Sequence, residues 1–318
     1  MKEPGKVLVI GGANYDITAT TRMEVIPAES NPSVIIGTCG GVGRNVAENL
    51  SHLGADVSLL TAFGDDAMSA AIVKSCEESG IDSSHSFAVG GAAASCYISV
   101  QNPAGEMVMA ASDLSVLEGI SPESFEAQRE YIASFPYVFI DANLTPEQLK
   151  AAASCVQGML FADAVSARKA VRLKAILPLI HTLKLNRNEL CALTDMPADS
   201  PDDLKTASEK LLQKGVKRVI TTLGGEGSCC CDETGFIHVP ACAAEVVSVN
   251  GAGDTFSAAL VFAAVNGFEN RETLLLGSVA ASVCLQSSSA VSSELDGKEL
   301  IEKSGLHLNG EDDIITRA

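Results

Sequence analysis

From residue 121 onward the chain repeats one pattern: a short apolar run, a polar or glycine turn, then a stretch with helical spacing. Helices are predicted near 122–132 and 146–157, strands at 137–141 and 158–162, and a helix at 168–180. A strand at 181–185, a helix from Glu189, a helix at 201–214, a strand at 217–222 and a hairpin at 228–239 follow. Strands joined through helices run parallel, because each crossover returns the chain to the same edge, and helices then cover both faces. The N-terminal part fits the same rhythm, with strands at Lys6–Ile10 and Asp56–Thr61 and helices at 40–54 and 70–79. Two stretches break it. Ile17–Ile36 is rich in Thr, Val and Ile and is interrupted by Pro27 and Pro32, and Ala94–Val100 and Glu106–Ala110 flank an Asn102-Pro103-Ala104-Gly105 hairpin turn. Both are expected in a small β-sheet lid over one edge of a mostly parallel α/β domain. The expected division is 1–13, 37–91 and 114–303 for the main domain, 14–36 and 92–113 for the lid, and 304–318 for a polar tail.

The stretch from Glu245 to Gly267 concentrates the chemistry. An apolar run (Val246, Val247, Val249) reads as a strand; Asn250-Gly251-Ala252-Gly253-Asp254 is a tight turn, and the Ala, Leu, Val and Phe that follow read as a buried helix. At a helix start the first N–H groups have no intrahelical partner and lie at the positive end of the dipole, so Gly251, Ala252 and Gly253 suit an anion. Asp254 in the first turn caps the helix, and is also placed to take a proton from an alcohol attacking a bound phosphate. An ordinary strand-to-helix turn with an acidic cap has the same letters, so the other strand ends must decide.

Those ends carry a set. Asp16 follows Gly11-Gly12 after the first strand, although an Asx turn would explain it alone. Gly40-Gly41-Val42-Gly43-Arg44-Asn45 opens a helix; it imitates a dinucleotide fingerprint but has Val46 where the third glycine belongs. Asn186 and Glu189 form either a capping box or a site for hydrated Mg²⁺. Thr222 and the glycine loop with Gly224 and Gly227 end another strand. Lys169 either faces phosphates or lies on a solvated helix face. In a parallel sheet these ends share one edge, and the set fits phosphoryl transfer, where catalysis is positioning plus charge stabilisation.

Composition narrows the partners. With 40 acidic against 22 basic residues the net charge is −18, which argues against a nucleic-acid backbone as partner. No apolar run approaches the ~18 residues that span a bilayer, and the N-terminal MKEPGKVLVIGG enters a strand without a signal-peptide layout. The ten cysteines show no paired ligand spacing, and consecutive side chains of Cys229-Cys230-Cys231 would alternate across a strand, so buried, reduced thiols and a cytoplasmic location are expected.

Taken in order, GGVGRNVAENLSHLG at 40–54, NRNE at 186–189, TLGGEG at 222–227 and VNGAGDTFSAAL at 249–260 resemble the ribokinase-like (PfkB) family of carbohydrate and nucleoside kinases, over Val7 to about Leu295. Within that family the chain is most similar to the pseudouridine kinases, through GGANYDIT, SDLSVLEGISPE, DAVSARKA and HTLKLNRNEL. The resemblance implies a ribokinase-like fold and an ATP- and Mg²⁺-dependent kinase acting on the 5′-hydroxyl of pseudouridine. Asp254 would be the base, and Gly251, Ala252 and Gly253 the anion hole. Asn14, Asp16, Gly40, Gly41, Asn45 and Asp113 would bind the acceptor; Asn186, Thr222, Gly224 and Gly227 would line the nucleotide, and Glu189 would hold Mg²⁺ through water. It further implies a homodimer through the lid. Ser248 and Val249 depart from the family's Asp and Thr, which bears on its K⁺ site; Leu185 replaces a usual Pro and Ser112 a usual Asn. The alternatives are a sibling kinase acting on ribose, fructose or adenosine, and a non-catalytic nucleoside-binding protein.

Overall fold

The structure, a computed structural model, describes residues 5–306. Its strands are β1 Lys6–Ile10, β2 Asn14–Thr21, β3 Ser33–Gly40, β4 Asp56–Leu60, β5 Ala62–Phe63, β6 Phe87–Ala88, β7 Cys96–Gln101, β8 Met107–Asp113, β9 Tyr137–Asp141, β10 Met159–Asp163, β11 Thr182–Asn186, β12 Arg218–Thr222, β13 Ser228–Asp232 and β14 Gly235–Val239. Eight of them make one sheet in the order β14-β13-β12-β11-β10-β9-β1-β4. From β4 to β12 every pairing is parallel, while β13 and β14 add an antiparallel edge. Side chains alternate across a strand, and the two faces feed separate cores. Leu8, Ile10, Val138, Ile140 and Leu160 pack with the helices Pro146–Cys155, Arg187–Thr194 and Pro201–Leu212. Val7, Val9, Phe139 and Phe161 pack with the helices Val42–His52, Ala67–Glu78, Ala252–Val265 and Asn270–Leu285. The helix Ala252–Val265 is buried continuously from Thr255 to Ala263, which is why its sequence is apolar all round.

The second sheet has the order β3-β2-β7-β8, with β2 antiparallel to β3 and parallel to β7. The Asn102–Gly105 turn closes the β7–β8 hairpin, and Asn102 N donates to Glu106 O at 2.9 Å.

Two expectations change. The predicted strand at 246–249 is an irregular crossing, and Val246, Val247 and Val249 are exposed. Because β14 runs with β12, Val239 already lies at the carboxyl edge of the sheet; the chain has only to travel along that edge to Gly251, and Val247 N and Ser248 N both donate to Leu285 O instead of to a strand. The predicted helix at 168–180 is one α-turn, Ala167–Ala170, followed by 3-10 turns at Val171–Ala175 and Leu177–Leu179; Pro178 has no N–H to give and disfavours helix at the residue before it. Of the tail expected from residue 304, all beyond Leu306 lies outside the described residues, as do residues 1–4.

Candidate active site

Gly251 turns the chain into the helix Ala252–Val265 with φ +78°. A Cβ at Gly251 would overlap Ala290 O, so the turn is restricted to glycine. No side chain caps this helix, which leaves its first N–H groups for a ligand. The helix Val42–His52 begins the same way, at Gly41 with φ +99° and no side-chain cap. The two N-termini meet: Asn45 Nδ2 donates to Asp254 Oδ2 at 2.9 Å, and Thr255 Oγ1 donates to Asn49 Oδ1 at 3.2 Å. Burial pushes the Asp254 carboxyl up to about 7; Asp163 and Asp141 add to the rise, while Asn45 and Lys184 oppose it. A carboxyl ionising near neutrality beside two positive helix ends suits a proton acceptor.

Lys184 was not singled out from the sequence. It lies in β11, buried, and its Nζ donates to Asp163 Oδ2 at 3.0 Å. Ser257 Oγ donates to the same oxygen at 2.7 Å. A Cβ built on Gly253 would stand 3.1 Å from Lys184 Nζ, so the ammonium lies directly behind the turn. Asp163, Glu189 and Asp254 hold the Lys184 pKa above its ordinary value against the opposing effect of burial. The available signal was a lysine inside a strand of a doubly covered parallel sheet, where a charge is almost never buried without a partner.

On the other side of Asp254, Asn14, Asp16, Gly40 and Gly41 come together. Asn14 Nδ2 donates to Asp16 Oδ1. A Cβ on Gly40 would overlap Asp16 Oδ2, and one on Gly41 would lie 2.6 Å from Asn14 Oδ1. Burial pushes Asp16 up to about 6, opposed by Asn14 and Arg44. Arg44 ties the junction: it donates to Cys39 O at 3.0 Å, to Asn45 Oδ1 at 3.3 Å and to Ser75 Oγ at 2.9 Å, and pairs with Glu48 at 2.9 Å. Asp113 ends β8 opposite Cys96, is exposed, and accepts from Ser115 N at 2.9 Å.

Asn186 and Glu189 form a capping box at the start of the helix Arg187–Thr194. Glu189 Oε2 accepts from Asn186 N at 2.7 Å and Oε1 from Asn186 Nδ2 at 2.8 Å, while Glu189 N donates to Asn186 Oδ1 at 3.0 Å. Thr222 stands beside Asn186 on β12. Gly227, φ +101°, is packed against Val239 O, whereas Gly224, φ +60°, faces open space. Arg187 clamps that loop, donating to both Glu226 oxygens at 3.1 Å. Lys169 Nζ donates to Asn143 Oδ1 at 2.6 Å and is half-buried rather than solvated. All ten cysteines are free, and burial pushes the Cys229, Cys230 and Cys231 thiols up to about 11, about 12 and about 11. The glycine turn at 40–43 follows β3, a strand of the small sheet; the dinucleotide reading needs a strand of the parallel sheet there. Among the described residues, no helix is long and apolar enough to cross a membrane.

Comparison with known proteins gives the family. The pfkB family carbohydrate kinase profile matches residues 5–296. The chain is 31% identical over 287 residues to the pseudouridine kinase of Escherichia coli (strain K12), covering 90% of this chain and 92% of that protein. A carbohydrate kinase from Agrobacterium tumefaciens superposes with a TM-score of 0.82 at 29% identity, covering 95% of this chain and 97% of that one. The Arabidopsis thaliana ribokinase complexed with ribose and ATP superposes with a TM-score of 0.83 at 24% identity, covering 95% and 98%. The fold is ribokinase-like, and the chain belongs to the pfkB family of carbohydrate kinases.

Proposed function

We propose that this kinase transfers the terminal phosphoryl group of ATP to the 5′-hydroxyl of pseudouridine. The observation that carries the reading is Asp254, held by Asn45 at the shared mouth of two uncapped helices. Asp254 takes the proton of the 5′-hydroxyl as the new O–P bond forms and the bond to the leaving ADP oxygen breaks. The N–H groups of Gly251, Ala252 and Gly253 receive the charge on the transferring group, with the Lys184 ammonium behind them. Asp16, Gly40, Gly41 and Asn45 bind the ribose hydroxyls, and Asn14 and Asp113 stand near the heterocycle. Asn186, Thr222, Gly224 and Gly227 line the nucleotide.

No group of three metal-ligating side chains stands together among the described residues. Glu189, whose two oxygens already accept from Asn186, would hold Mg²⁺ through water, which suits a cation held largely by phosphates and water. When bound, Mg²⁺ neutralises phosphate charge; Glu189 contributes its negative charge to the waters around it. The exposed apolar strands of the lid support a homodimer, and a cytoplasmic setting suits ten free thiols.

Pseudouridine as the acceptor is supported by the similarity to the pseudouridine kinase above. The test is ADP release with ATP and Mg²⁺ across pseudouridine, uridine, adenosine, ribose and fructose, with and without K⁺. Pseudouridine is expected to give the highest kcat/KM. Turnover of a free sugar or adenosine with none of pseudouridine would move the chain to a sibling kinase. Nucleoside binding with no ADP release would reduce it to a binding protein.

A further inference from the structure

The site contains two half-buried or buried lysines, and the sheet order separates them. Lys184 is on β11 behind Gly253, on the phosphate side. Lys169 follows β10, and its Nζ reaches Asn143 Oδ1 past the end of β9. Asn143 in turn lies against the end of β1: a Cβ built on Gly12 would come within 2.9 Å of Asn143 Nδ2. Since β9 and β1 are neighbours and Asn14 opens the lid only two residues after Gly12, Lys169 stands on the acceptor side. We infer that Lys169 reads the heterocycle of the acceptor, its ammonium donating a hydrogen bond to a ring carbonyl oxygen of a nucleoside held between β1 and the lid. The inference rests on the nucleoside reading proposed above and names the group that distinguishes a nucleoside from a free sugar.

The unspent donors of Lys169 argue for this. An ammonium has three N–H donors, and the neighbour it touches is a neutral amide. The closest acid in effect, Asp141, is fully buried and already accepts from Gly12 N and Asn143 N, each at 2.8 Å. Arg172 and Arg168 add positive charge, and burial outweighs Asp141, so the Lys169 pKa is lowered. A partly desolvated cation with no carboxylate within ion-pair distance among the described residues gains most from a polar atom supplied by a ligand.

The backbone leading to Lys169 argues for it independently. Val165 has φ +64°, a left-handed conformation that a β-branched residue rarely adopts. It is held there because Val165 N donates to Asp163 Oδ1 at 2.7 Å and Ser166 N donates to Ala164 O at 2.6 Å. Arg172 fixes the opposite wall, donating to Asn143 O at 2.7 Å and Leu144 O at 3.2 Å. Strain of this kind persists where the surroundings over-determine it, and it gathers at ligand sites. Here the forced turn brings the Ala167–Ala170 helix, and Lys169 with it, onto Asn143.

The experiment compares wild type with Lys169→Met on three acceptors: pseudouridine, its phenyl C-riboside analogue without ring carbonyls, and ribose. Thermal melts first establish that the variant folds. With pseudouridine, KM is expected to rise roughly 10- to 100-fold, the equivalent of one lost charged hydrogen bond, while the KM for ATP stays unchanged. With the phenyl riboside the two proteins should differ less than threefold, and Lys169→Arg should recover part of the loss. Unchanged pseudouridine kinetics in Lys169→Met would overturn the inference alone, as would an equal loss with every acceptor or a rise in the KM for ATP. A wild type that phosphorylates ribose but neither riboside would instead bring down the nucleoside reading, visible before any variant is made.

Discussion

As the proposed base, Asp254 meets folding and chemistry with opposite preferences. Burial raises its pKa to about 7 from 3.8, so the folded protein holds this proton more tightly than the unfolded chain does. The contribution to stability is therefore fully present below about pH 4 and is lost as the pH climbs through 7. Catalysis needs the opposite state, because a base must be deprotonated. Asp254→Asn should then fold at least as well as wild type, and calorimetric melts from pH 4 to 8 should show its relative stability rising through that window. Its turnover should fall by roughly 10²- to 10⁴-fold while nucleoside still shifts the melting temperature; unchanged turnover would remove Asp254 as the base. In wild type, kcat/KM should decline below about pH 7. Asp16, raised to about 6, titrates nearby, so Asp16→Asn separates the two: it should weaken acceptor binding yet keep the limb near 7. Lys184→Met should act differently again. It leaves Asp163 buried without its cation, a change of the order of 3–5 kcal/mol, so chemical denaturation should register it even without substrate.

At the scale of elements, the glycine turns can be ranked by what surrounds them. Gly251 and Gly224 both have positive φ, but Gly251 is pressed on Ala290 O and Gly224 has open space. Gly251→Ala should therefore cost more than the ~1 kcal/mol of backbone strain expected at Gly224→Ala, and should abolish turnover by moving the N–H groups of Ala252 and Gly253. Equal melting temperatures for the two variants would contradict this. The same comparison explains what could be read from sequence. Short apolar runs bounded by turns placed the parallel strands, and glycine-to-helix transitions placed Asn45 and Asp254, because both signals are local. The segment 246–249 was misread because β-branched residues report a preference for extended backbone, not whether a neighbouring strand is available to pair. Lys184 and Asn143 were missed because their roles depend on which strands lie side by side, and the order β11-β10-β9-β1 is not written in any one segment. Asn186 and Glu189 showed the reverse: the local capping box was legible and is present, while a part in holding Mg²⁺ depends on a ligand from outside the chain.

For the whole molecule the question is what covers the lid. All seven residues of β8 are exposed, and Ile35, Met107 and Met109 are 68%, 62% and 63% exposed. With Val34, Ile36 and Val108 they leave apolar side chains in water on both edge strands, β3 and β8, of a sheet only four strands wide. Apolar patches of this kind mark an interaction surface, and unpaired edges invite another strand. A second copy of the chain satisfies both at once, because a two-fold contact presents the same strands to themselves. Light scattering after gel filtration should give twice the chain mass of 32.9 kDa, and Ile35→Glu with Met109→Lys should return it to the chain mass. The effect should reach the site, since Asp16 lies on β2, directly paired with β3. The double variant should keep its KM for ATP and raise its KM for the acceptor, with specific activity no longer depending on protein concentration. A wild type of single-chain mass across micromolar concentrations would leave those strands to some other partner, and a variant that lost ATP binding as well would show that the lid supports the main domain instead of the acceptor.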